Sequence, residues 1–91
     1  MATTVKIPPQ LRAATGGQGS ESVDGGTVGE ALNALYARHG ELRDRVAGDD
    51  GELRRFVNVY LDGEDVRFLD GLSTPVPDGA ELQILPAVAG G

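Results

Sequence analysis

The clearest chemistry in this chain lies in its last residues. After Pro86 come Ala87, Val88, Ala89, Gly90 and Gly91, with no charge and no large side chain among them. Fully extended, five residues span roughly 17 Å, enough to carry a terminal α-carboxylate into another protein's buried active site. Glycine lacks Cβ, so Gly90 and Gly91 can thread a narrow channel and adopt backbone angles closed to other residues. The carboxylate, with an ordinary pKa of about 3.3 to 3.7, is ionised and a poor electrophile. Attack by its oxygen on the α-phosphate of ATP would give an acyl-adenylate, whose carbonyl then accepts sulfide or persulfide. None of this requires a side chain from the chain itself. A Gly-Gly ending alone would arise by chance in about 2% of chains this rich in glycine. Its weight comes from its place at the chain end, directly after a last strand and a proline.

Other catalytic arrangements are excluded by residue type. His39 is the only histidine, so a triad or a histidine metal site has no second member. Its place in the last turn of an expected helix suits a partner of the helix dipole. Cysteine is absent, which removes disulfides, thiolate metal ligands and thiol nucleophiles together. The clusters Gly16-Gly17-Gln18-Gly19 and Gly25-Gly26-Thr27-Val28-Gly29 are not followed by Gly-Lys-Ser/Thr, and they read as turns. The neighbours Asp49-Asp50 and Glu64-Asp65 lack the spacing of a calcium loop and read as solvated faces. The expectation is a protein that is not an enzyme and holds no metal or cofactor of its own.

Eight basic against fourteen acidic residues give a net charge of −6, which repels nucleic acid and anionic membrane surfaces. The acidic surplus instead suits basic patches on protein partners. No run of eighteen apolar residues and no leader pattern is present, so a cytoplasmic location is expected.

Ninety-one residues make one small domain, which divides into a body over 1–86 and a tail over 87–91. Thr3 to Ile7 is β-branched, with Val5 and Ile7 on one face, and Pro8-Pro9 closes it. Leu11 returns toward the core, 15–19 forms a turn, and Ser20 to Val23 completes a hairpin. Thr27 and Glu30 have the spacing of a capping box. Val28, Ala31, Leu32, Leu35 and Tyr36 follow with helical period, predicting a helix over 28–39 with Gly40 as a left-handed stop. Glu41 to Val46 adds a short helical turn with Leu42 and Val46 inward. Residues 54–61 alternate as a strand ending in Asp62-Gly63, a tight-turn pair. Val57, Val59 and Leu61 face inward; Phe56 and Tyr60 lie on the outer face as candidate partner-docking residues, with core or edge packing an equal alternative. Val66 and Phe68 form a short return segment, Leu72 an inward anchor and Pro77-Asp78-Gly79 a turn. Glu81 to Leu85 is the last strand, with Leu82 and Ile84 inward, stopped by Pro86. The fold class is α+β: a β-grasp, a mixed sheet packed on one main helix with an extended C-terminal tail. Many unrelated functions use such frames, so a plain interaction domain remains the bland alternative.

With that order of elements, the ending Ile84-Leu85-Pro86-Ala87-Val88-Ala89-Gly90-Gly91 resembles the ubiquitin-like sulfur carriers of the ThiS/MoaD type. The segments Phe56-Val57-Asn58-Val59-Tyr60 and Glu64-Asp65-Val66-Arg67-Phe68 are similar to the CysO branch, the actinobacterial carriers that feed cysteine synthesis. The resemblance covers essentially the whole chain. It implies that an E1-like adenylating enzyme of the MoeZ/MoeB kind activates Gly91, with Gly90 its unhindered neighbour and Ala87 to Ala89 the threaded tail. Sulfur is then installed as a terminal thiocarboxylate and passed to a PLP-dependent cysteine synthase that uses O-phosphoserine. A zinc metallopeptidase of the JAMM type releases cysteine from the adduct. ATP, PLP and zinc would all belong to the partners. Other acceptors remain open at this point: a thiosugar-forming synthase of secondary metabolism, molybdopterin, thiamin or tRNA thiolation. So does use as a ubiquitin-like modifier, although Lys6 is the only lysine and chains through it are disfavoured.

Overall fold

The computed structural model describes residues 2–48, 51–54 and 57–86. Strand β1 (Ala2–Lys6) and strand β2 (Ser20–Asp24) form an antiparallel hairpin running from Ala2 opposite Asp24 to Lys6 opposite Ser20. The period-two pattern buries Thr3 and Val5 with Val23 on one face. Pro8 has no N–H to offer a neighbouring strand, and β1 ends before it. The connection then closes into a 3-10 helix over Pro9–Thr15, which buries Leu11 and Ala14 and stops at Gly16 with φ 66°. Only the inward return of Leu11 was foreseeable here, because a 3-10 turn has no apolar period of its own.

Helix α1 (Val28–Arg38) starts at Thr27, whose side chain accepts from the Glu30 N–H. The Glu30 carboxylate accepts in turn from the Gly26 N–H at 2.8 Å, one residue earlier than an ideal capping box. All five residues of the predicted stripe are buried. The left-handed stop at Gly40 is corrected: α1 ends at His39 in a non-helical conformation (φ −136°), and Gly40 opens helix α2 (Gly40–Val46) with φ outside the left-handed region. His39 is the corner between the two helices, so the change of direction needs no positive φ. Its imidazole Nε2 contacts a carboxylate oxygen of Glu21 on β2, a long-range contact that sequence spacing does not announce. Arg38 adds a bond from Nη1 to the Ser22 carbonyl at 2.9 Å, fastening the helix end to the sheet's edge strand.

Strand β3 (Val57–Leu61) turns through Asp62 (φ 48°) and Gly63 (φ 91°) into strand β4 (Glu64–Asp65). Positive φ at both central residues matches the twist of the strands they join, which is why Asp-Gly suits this position. The return segment is shorter than the alternation suggests. Asp65 accepts from the Arg67 N–H at 2.9 Å and closes a 3-10 turn over Val66–Phe68, so Val66 is buried while Phe68 is 87% exposed. Strand β5 (Glu81–Pro86) completes a sheet ordered β2-β1-β5-β3-β4. It runs parallel to β1 and antiparallel to β3, and α1 covers the inner face in the expected β-grasp arrangement.

Pro86 does not stop the strand; it is its last residue, opposite Val57. The Asp62 N–H bonds the Glu81 carbonyl, and the alternation this sets turns the Gln83 and Leu85 amides toward β3. Position 86 therefore faces the side that β1 has already left, where a missing N–H costs nothing.

Two glycines test the two ends of α1. Gly40→Ala meets nothing within 4 Å and keeps a permitted conformation, so a gain of roughly 0.5 kcal/mol is expected from the reduced freedom of the unfolded chain. A Cβ on Gly25 would lie 2.5 Å from the Ala31 nitrogen, and Gly25→Ala should cost on the order of 1–3 kcal/mol. Urea midpoints of the two variants should move in opposite directions. Burial pushes the Tyr36 phenol up to about 12, with Arg43 opposing. Its contribution to stability is complete below the ordinary tyrosine value of 10.0 and is lost as pH rises toward about 12. Denaturation midpoints should fall across that interval, and less steeply in Tyr36→Phe.

Candidate functional site

The site is the place where β5 delivers the chain to residue 87. β5 has a neighbour on each side, but its pairing with β1 ends at Lys6 opposite Gln83, while β3 accompanies it to Pro86. Its final residues therefore lean on β3 alone. Beside them, where β1 turns away, a cleft of about 440 Å³ is lined by Lys6, Arg12, Ser20, Gln83 and Leu85, among others.

Alternation sorts the strand's side chains into two roles. Leu82 and Ile84 are fully buried beneath α1. Gln83 and Leu85 point to the outer face, where Leu85 is 37% exposed. Across the sheet, Gln83 stands opposite Tyr60 and Leu85 opposite Asn58. Tyr60 is half-buried on this outer face, the face expected for it, and Asp65 stands opposite on β4. Its expected companion Phe56 lies outside the described residues, as do the tail positions Ala87, Val88, Ala89, Gly90 and Gly91.

The structure gathers further groups that sequence reasoning did not select. Arg67 spans from the 3-10 turn to β3: Nη1 donates to Asn58 Oδ1 at 2.5 Å and Nη2 to the Arg54 carbonyl at 2.8 Å. Arg54 donates from Nε to the Asp44 carbonyl at 2.9 Å, and Arg12 donates from Nε to the Ile7 carbonyl at 3.1 Å. Outward alternation of Asn58 was legible in the sequence; its long-range meeting with Arg67 was not. Phe68 was read as part of a return segment, and nothing in the alternation announced that its ring would stand in solvent.

Among the described residues, no group of three or more His, Cys, Asp or Glu side chains is placed to hold a metal ion. No helix among them is long and apolar enough to cross a membrane. The arrangement places no histidine or carboxylate among the described residues that line the cleft. It supplies a firmly seated strand, an outer face and the groups around it.

Comparison with known proteins agrees with this geometry. The pattern of the ThiS family matches residues 5–91. The sulfur carrier protein CysO of Mycobacterium tuberculosis is 47% identical over 93 aligned residues, covering all of both chains. A chain in the crystal structure of the Amycolatopsis orientalis BexX/CysO complex is 48% identical with a TM-score of 0.91, covering 99% of this chain and 100% of that one. The crystal structure of SAMP1 from Haloferax volcanii is 36% identical with a TM-score of 0.86, covering both chains completely. These relatives are small carrier and modifier proteins rather than enzymes.

The two sides of β5 should differ sharply in their tolerance of substitution. Ile84→Ala removes fully buried atoms and should cost about 2–4 kcal/mol. Leu85→Ala, on the outer face, should cost about 1 kcal/mol or less. Chemical denaturation of both variants checks the difference.

Proposed function

Since the chain belongs to the ThiS family and is a sulfur carrier of the CysO type, we propose that the Gly91 carboxylate is its working group, carried on a tail over 87–91 beyond a body over 1–86. The full-length identity to CysO carries this reading, and the seating of β5 supports it. An E1-like enzyme of the MoeZ/MoeB kind binds the tail with ATP. A carboxylate oxygen attacks the α-phosphorus, and pyrophosphate leaves. Sulfide then adds to the adenylate carbonyl and expels AMP, which leaves the C-terminus as a thiocarboxylate. The absence of Cβ at Gly90 and Gly91 lets both partners' active sites close around that carbonyl, with Ala87, Val88 and Ala89 in the approach channel.

The thiocarboxylate gives its sulfur to a PLP-dependent cysteine synthase, and a zinc metallopeptidase of the JAMM type frees the product. Both the PLP and the zinc are the partners' own. The match to a chain of the BexX/CysO complex supports docking of a carrier of this shape on a partner protein, and delivery to a second acceptor is compatible with the same tail. Tyr60, and Phe56 beside β3 in sequence, are the docking residues proposed on the outer face.

A modifier role is the second reading, favoured by the likeness to SAMP1. It uses the same adenylate but ends in an isopeptide bond to a target lysine. With Lys6 the only lysine of the chain, self-linked chains could grow only through it or the N-terminus.

Intact mass spectrometry after incubation with ATP, sulfide and the activating enzyme should show exchange of one oxygen for sulfur. A chain lacking Gly91 should show no exchange, with an unchanged circular dichroism spectrum and melting temperature, because Gly91 has no side chain for a core to lose. Loading that survives the deletion would remove Gly91 from the reaction. Adducts on target lysines that withstand thiol reagents would favour the modifier instead.

A further inference from the structure

The chain is acidic overall, yet four cations flank the last residues of β5 without a carboxylate partner among the described residues. Lys6 lies opposite Gln83 and, with Arg12, lines the cleft beside Leu85. Arg67 reaches Asn58, which stands opposite Leu85, and the Arg54 carbonyl, which itself accepts from the Val57 N–H. All four residues are exposed. The three arginines are held by neutral acceptors, namely backbone carbonyls and one side-chain amide. Arg38, by contrast, does reach a carboxylate, that of Glu21. The four thus keep their full charge while the arginines are already ordered, which lowers the entropic cost of docking.

Carboxylates concentrate at the opposite end of the strand. Asp62 accepts from the Glu81 N–H, Asp78 accepts from the Ala2 N–H, and Glu64 sits at the β3–β4 turn. Six residues of β5 separate the two ends by roughly 17 Å, beyond the screening length of about 8 Å in physiological salt. Nearer the cations are Asp65, whose carboxylate is occupied by the Arg67 N–H, Asp44, whose backbone carbonyl holds Arg54, and Glu52, two residues before Arg54 and engaged in a contact of its own.

Next to Arg67 stands Phe68, the most exposed large apolar side chain of the described residues. Its turn is held by buried Val66, by the Asp65 cap and by the Arg67 fork. An aromatic ring kept in water on a fixed turn is preorganised for a partner's pocket, and the Arg67 cation beside it calls for a carboxylate on the pocket's rim.

We propose that Phe68 and the cations Lys6, Arg12, Arg54 and Arg67 form the face by which the activating enzyme recognises this carrier, through an apolar pocket rimmed with carboxylates beside its tail channel. The inference rests on the reading that such an enzyme adenylates Gly91. It assigns recognition to groups of the folded body, apart from the tail that undergoes the chemistry.

The test is carrier-dependent ATP–pyrophosphate exchange by the enzyme that loads the wild-type chain. Phe68→Ala and Lys6→Glu, neither of which removes a hydrogen bond described here, should each raise KM for the carrier about tenfold with little change in kcat. Arg67→Glu should do the same, read alongside its melting temperature because it also breaks the fork. Glu64→Lys, at the acidic end, should leave KM unchanged. Added salt should raise the wild-type KM more steeply than that of Lys6→Glu. If the wild type is charged normally and either Phe68→Ala or Lys6→Glu stays within about twofold of it, the recognition face is wrong while the Gly91 reading stands. If the wild type supports no exchange, the Gly91 reading fails and this inference fails with it.

Discussion

The structure depends on how β5 is held. It is the central strand of the five, with a neighbour on each side and two fully buried side chains beneath it, Leu82 and Ile84. Parallel pairing to β1 and antiparallel pairing to β3 fix its register independently. A one-residue slip would turn both core side chains into water and both outer residues into the core, which makes that register costly to change. The chain therefore leaves the body at a point whose position and direction are set by the core. For the working group proposed at Gly91, packing of β5 fixes the place from which partners would find it.

The prolines at the two strand ends complete this device. Pro8 cannot donate to β5, so β1 departs and the cleft opens. Pro86 needs no donor on that side, so β5 continues one residue further against β3. Two residues that read in the sequence simply as strand terminators have different effects: one ends a pairing, and the other occupies the edge that this ending creates.

Much of the body was legible because its signals are local. Alternation placed Val57, Val59 and Leu61 inward; the Thr27–Glu30 spacing marked a helix start; Asp62-Gly63 marked a tight turn. What escaped depends on contacts between distant segments. Gly40 suggested a left-handed stop, but His39, tied to Glu21 across the fold, makes the corner instead. Val66 and Phe68 shared a parity, yet the Asp65 cap folds them into a 3-10 turn and sends them opposite ways. At the site, the outer-face position of Tyr60 was readable, whereas the Arg67 fork joins residues nine and thirteen positions apart and has no local signature.

Net charge was the least informative guide to the site. A value of −6 suggests an acidic surface seeking basic partners, yet it averages over a molecule whose two ends differ. Beyond the screening length each end presents its own field to a partner approaching it, so the whole-chain sum says little about recognition at either. A terminal carboxylate offered at an acidic end would meet added repulsion from any carboxylate-rimmed channel. With Lys6, Arg12, Arg54 and Arg67 around the end of β5 instead, the body presents cations that such a rim attracts. The acidic remainder of the surface then serves solubility and keeps copies apart, while the tail end stays electrostatically distinct from the rest of its own chain.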